Sequence, residues 1–174
     1  MVGVTYETME PGDTQAVLDH LRSNADETGI DPERIGLFGA SANVGTALSV
    51  AMAPENRFID IAILYYGLMF GPQGVFRETL DDVCAQIECY GPELDDYPEI
   101  RSDLPLFVVK TGRDRADLKA TIDEFVVAAE TAGAAITYVD YPAGPHGFDT
   151  GDNSERSAEI LAETLDFMQQ QQAR

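Results

Sequence analysis

Apolar residues fall along the chain at two alternating spacings. Continuous strand-sized runs occupy 35–38, 58–66, 106–110 and 136–141, and stripes at helical spacing fill stretches between them. In 13–24, Val17, Leu18 and Leu21 share one face behind a cap at Asp13 or Thr14. The stretch 42–53 is rich in alanine and ends at Pro54, which suits a closely packed helix. In 116–132 the stripe is Leu118, Ile122, Phe125, Val126 and Ala129, closed by Gly133. In 154–170 the inward positions are expected to be Leu161, Leu165 and Met168. Residues 71–104 break the rhythm with Gly71-Pro72, Gly91-Pro92 and Pro98. They read as a lid or an irregular insertion, with a helix near 78–89.

Strand-helix alternation with continuously apolar strands predicts a single α/β domain over 1–174, a mostly parallel sheet flanked by helices. In such sheets ligands and chemistry gather at the carboxyl ends of the strands. The first run is followed by Gly39-Ala40-Ser41-Ala42-Asn43, the third by Thr111-Gly112-Arg113-Asp114, and the fourth by Gly144-Pro145-His146-Gly147-Phe148-Asp149. A hydroxyl, a carboxylate and an imidazole therefore stand at strand ends in the order Ser41, Asp114, His146. A serine hydroxyl is a poor nucleophile until a neighbouring base takes its proton. Neutral imidazole can take that proton and return it, and a carboxylate fixes the imidazole tautomer. A strand-to-helix turn at Ser41 would also aim the Ala42 N–H at a developing oxyanion.

These residues make the sequence resemble the α/β-hydrolase fold and, more closely, the dienelactone-hydrolase-like esterases. The resemblance rests on Arg34-Ile35-Gly36-Leu37-Phe38-Gly39-Ala40-Ser41, on Gly112-Arg113-Asp114, and on Gly144-Pro145-His146-Gly147-Phe148-Asp149. It implies a serine hydrolase of a small carboxylic ester, with Ser41 as nucleophile, His146 as base and Asp114 as orienting acid. No metal or organic cofactor is implied. Acyl transfer to an acceptor other than water stays open.

The sequence departs from the family pattern in two places. The family elbow is G-x-S-x-G, whereas position 43 is Asn, a residue that tolerates unusual backbone angles; Gly45, two positions on, could relieve crowding. Only 34 residues precede the run that leads to Ser41, so the family's earlier strands and the loop giving a second oxyanion N–H are expected to be missing. Loss of one such donor typically costs ~10²–10³ in turnover. The alternative function is therefore an inactive remnant serving as a binding or assembly module. An apolar edge at 35–38 invites pairing with a second copy, and a dimer is expected.

Blander roles compete at several positions. Asp117 rivals Asp114 as the acid but could cap the helix of 116–132. Asp149 is expected to cap a turn, and His20 to sit on a helix surface. Cys84 and Cys89 read as reduced thiols, since a zinc site would need two further ligands. Tyr65, Tyr66, Leu68, Met69 and Phe70 form either core or an apolar acyl pocket near Ser41.

Composition narrows the partners. The chain has 174 residues, 44% hydrophobic and 24% charged, which suits one globular domain. Thirty-one acidic residues against eleven basic ones leave a formal charge of −20, so nucleic acid and anionic membrane are poor partners. A small-molecule ester remains. No basic stretch follows Met1 and the longest apolar run is about half a membrane span, so a cytoplasmic location is expected. Only Lys110 and Lys119 are lysines, a balance found in proteins of salt-loaded cytoplasm as well as in ordinary acidic ones. Screening shortens from ~10 Å at 0.1 M to ~3 Å at 1 M salt. On the salt-loaded reading, unfolding midpoints rise with KCl.

Overall fold

The structure is a computed structural model and describes residues 11–69 and 99–173. The helix expected near 78–89, Phe70, both cysteines and most of the 71–104 insertion lie outside the described residues. Four strands, β1 (Ile35–Ala40), β2 (Ile59–Tyr65), β3 (Leu106–Thr111) and β4 (Ile136–Tyr141), lie side by side in chain order, every pair parallel. Helices α1 (Pro11–Ser23) and α2 (Ala25–Thr28) come before β1, and α3 (Asn43–Met52) crosses from β1 to β2. Helix α4 (Ala116–Thr131) crosses from β3 to β4. A single turn α5 (Phe148–Gly151) and the long α6 (Glu155–Gln172) follow. No described helix is long and apolar enough to cross a membrane.

The two-residue period of the strands sorts their side chains onto two faces. Ile59, Ala62 and Leu64 of β2 and Leu106 and Val108 of β3 pack with Val44, Leu48 and Ala51 of α3 and with Ile122, Phe125 and Ala129 of α4. Ile61, Ile63, Tyr65, Phe107, Val109, Val139 and Tyr141 pack on the other face with Phe148 of α5 and Ile160 and Phe167 of α6. Ile59 and Ile61 end up on opposite faces because the register skips Asp60: Ile35 pairs with Ile59, but Gly36 pairs with Ile61. All five apolar positions expected for α4 are buried, and Gly133 ends that helix with φ +81°.

Two expectations need correction. The inward face of α6 is Ser157, Ile160, Thr164 and Phe167, whereas Leu161 and Leu165 are 37% and 54% exposed. A polar residue can face inward at 164 because its hydroxyl has partners on both sides: it bonds the Tyr65 hydroxyl at 2.5 Å and donates to the Ile160 carbonyl at 2.8 Å. Asp13 and Thr14 lie within α1 rather than capping it. The described end of the irregular segment, 99–104, is firmly tied to the core. Leu104 is fully buried, and Arg101 donates to the Ala51 and Asn56 carbonyls while pairing with Asp103 at 3.0 Å.

Candidate active site

Strand β1 delivers its last residue, Ala40, to a reversal in which Ser41 has φ +54°, the left-handed region. For a non-glycine residue this costs on the order of 1–3 kcal/mol, so the surroundings must impose it. They do so through two backbone bonds: the Ser41 N–H donates to the Tyr65 carbonyl at 3.0 Å, and the Ser41 carbonyl accepts from Val44 N–H at 3.2 Å. The turn also needs backbone to pass very near it. A Cβ on Gly39 would stand 2.8 Å from Ala47 Cβ, and one on Gly67 would stand 2.3 Å from the Ser41 carbonyl. Those two glycines make the close approach. Asn43 is the exposed first residue of α3, where a side chain has room. Ala42 stands between the serine and α3 with helical angles (φ −58°, ψ −27°).

The carboxylate follows β3. Thr111 is fully buried and donates from Oγ1 to Asp114 Oδ2. Asp114 Oδ1 in turn meets His146 Nδ1 at 2.8 Å, and the Asp114 side chain is only 7% exposed. The imidazole follows β4, with His146 Nε2 2.7 Å from Ser41 Oγ and the side chain 44% exposed. A carboxylate can only accept, so Nδ1 carries the proton and Nε2 is left to accept from the serine hydroxyl. The loops carrying acid and base are joined by backbone: Gly112 N–H donates to the Tyr141 carbonyl at 2.8 Å and Arg113 N–H to the Gly144 carbonyl at 3.1 Å. A Cβ at Gly112 would lie 2.1 Å from the Pro142 carbonyl oxygen, so no larger residue fits this seam without a shift.

Tyr66, directly after β2, completes the wall of the site. Its φ is +38°, and its N–H donates to the Val109 carbonyl at 2.8 Å. Its ring lies 4.7 Å from the His146 ring, inclined at 63°, and its hydroxyl donates to Asp149 Oδ1. Burial first, and then the hydrogen bond to Asp149, push the Tyr66 phenol well above its ordinary value.

Ser41, His146 and Asp114 are thus brought together, and their rivals are not. Asp117 pairs with Arg115 at 2.6 Å and accepts from Leu118 N–H at 2.8 Å; the Arg115 bond lowers its pKa. Asp149 lies in the first turn of α5 and holds Tyr66. His20 is exposed on α1 beside Asn24. Thr111 went unrecognised in the sequence; the signal for it is a hydroxyl three residues ahead of the acid, across one tight turn. Among the described residues, no group of three or more His, Cys, Asp or Glu could hold a metal ion.

No protein-family model and no curated protein sequence matches the chain. Solved structures do. An α/β-hydrolase from a Medee basin deep-sea metagenome library superimposes with a TM-score of 0.71 at 16% identity over 92% of this chain and 64% of its own. A dienelactone-hydrolase-like protein from Klebsiella pneumoniae gives 0.66 at 19% identity over 92% and 62%. The carboxylesterase Cest-2923 from Lactobacillus plantarum gives 0.67 at 21% identity over 92% and 67%. The chain has the α/β-hydrolase fold, and it spans somewhat under two thirds of the length of the first two of these structures.

Proposed function

We propose that the chain is a serine hydrolase that cleaves a small carboxylic ester. The observation that carries this reading is the unbroken hydrogen-bond line from Thr111 through Asp114 and His146 to Ser41 Oγ. Esterases and hydrolases among the structural neighbours support a hydrolase fold. In the proposed reaction Ser41 Oγ bonds to the ester carbonyl carbon while its proton passes to His146 Nε2. Carbonyl electrons move onto oxygen, where the Ala42 N–H, ahead of the ten-residue α3, would donate to the oxyanion. Collapse breaks the bond to the alkoxy group, which leaves as an alcohol with the proton from Nε2. Water then repeats the sequence and frees the acid. Asp114 keeps Nδ1 protonated throughout and steadies the imidazolium.

The test is covalent labelling by a fluorophosphonate together with turnover of p-nitrophenyl acetate. The wild-type chain is expected to label stoichiometrically and Ser41→Ala not at all, with hydrolysis falling at least ~10³-fold. Labelling or turnover that survives Ser41→Ala overturns the reading.

A second reading, an assembly module without turnover, draws on the edge of the sheet. β1 has a strand on one side only among the described residues, and Phe38 on it is 54% exposed. Pairing of this edge with a second copy would cover both. Dimers by sedimentation that dissociate on Phe38→Lys support that interface; monomers at all concentrations exclude it.

A further inference from the structure

We propose that Tyr66 is a positioning residue for His146, setting the plane of the imidazole; the inference rests on His146 being the base. Hydrogen bonds at Nδ1 and Nε2, 2.8 and 2.7 Å long, hold the ring at two opposite points. These two bonds limit the tilt of the ring without fixing it, and tilting takes the Nε2 lone pair off the serine hydroxyl. The Tyr66 ring packs edge-to-face against the imidazole, 4.7 Å between centroids at 63°, and so restricts that tilt. The base needs such support because it is 44% exposed in a loop and its two partners, Ser41 and Asp114, themselves sit on turns after strands.

Tyr66 is itself fixed from several directions. Its ring packs on Phe148 at 5.6 Å and on Tyr65 at 6.0 Å, its backbone is pinned to Val109, and its hydroxyl is taken by Asp149. Asp149 lies three residues beyond His146, so the Tyr66–Asp149 bond ties the end of β2 to the loop that carries the base. The hydroxyl is thereby occupied, which leaves the ring face and the tether as the two means by which Tyr66 acts.

Ring order and turnover test the two levels separately. In ¹⁵N-histidine protein carrying His20→Gln, the Nδ1–H of His146 is expected as a sharp downfield proton resonance. Tyr66→Leu should broaden or erase it while the rest of the spectrum keeps its dispersion. Turnover of p-nitrophenyl acetate should fall about 10- to 100-fold in kcat with KM within about twofold. Tyr66→Phe keeps the ring and should recover most of both signals. Tyr66→Phe, Asp149→Ala and the double variant should lose similar amounts rather than summed ones. An unchanged His146 resonance in Tyr66→Leu overturns the positioning role, whether or not the wild type turns over ester. A sharp, Tyr66-dependent resonance in a wild type without Ser41-dependent turnover keeps the positioning role and removes the catalytic one.

Discussion

Under α1, α3 and α4 the sheet presents Ile59, Ala62, Leu64, Leu106 and Val108; under α5 and α6 it presents Tyr65, Phe107 and Tyr141 among Ile61, Ile63 and Val109. The first face is mostly aliphatic, and the attraction there is non-directional and tolerant of exchange at constant volume. The second carries phenol tips, each bonded to a named polar group. Tyr65 meets Thr164, Tyr66 meets Asp149, and Tyr141 donates to Asp152 at 3.0 Å within a cluster that includes Ser154 and Ser157. Directional bonds of this kind fix where loops sit, and the loop that carries His146 runs over this second face. One side of the sheet supplies bulk stability while the other supplies placement.

Cavity variants on the two faces should separate these contributions most strongly. Phe148→Ala is expected to cost about 3–5 kcal/mol and Ile122→Ala about 2–5 kcal/mol. In urea unfolding both lose stability, but only Phe148→Ala should also lower turnover per folded molecule, since Phe148 packs on Tyr66. Equal losses per folded molecule would erase the distinction. Next in size, Tyr65→Phe removes a buried donor and should cost about 1–2 kcal/mol, with little change in the far-ultraviolet spectrum.

Alkaline titration offers a third route. Burial pushes Tyr65 from an ordinary value near 10 up to about 12. A folded-state value above the unfolded one means folding favours the neutral phenol, so this contribution is complete below pH 10 and is lost between 10 and 12. Unfolding midpoints should fall over that window, and fall less in Tyr65→Phe; identical profiles would contradict the assignment. The smallest effect is expected on the outer side of α6, where Leu161→Gln and Leu165→Gln should each stay within about 0.5 kcal/mol of wild type. A larger loss would return those leucines to the core.

Strand positions were legible because continuous apolar runs bounded by turn residues have few other uses, and the four runs match the four strands to within a residue or two at each end. The Ser41 turn was legible from its small flanking residues. What one dimension hides is partnership. Choosing between Asp114 and Asp117 needs Thr111 and Arg115, whose bonds accompany the turn of Asp114 toward His146 and of Asp117 away from it. The inward face of α6 is hidden in the same way: Thr164 faces inward on the strength of the Tyr65 hydroxyl, 99 positions away, and Ser157 on that of the Asp152 carboxylate just ahead of the helix. Asn43 is tolerated because Gly39 and Gly67, rather than position 43, make the close approach.

Ser41 and His146 are 105 positions apart, and parallel pairing in chain order places every strand between them in the path of their meeting. Such non-local closure is slow compared with helix formation. During refolding from urea, circular dichroism should therefore recover before the serine becomes reactive, and quenched labelling at successive times would act as a clock for the docking of the last strand.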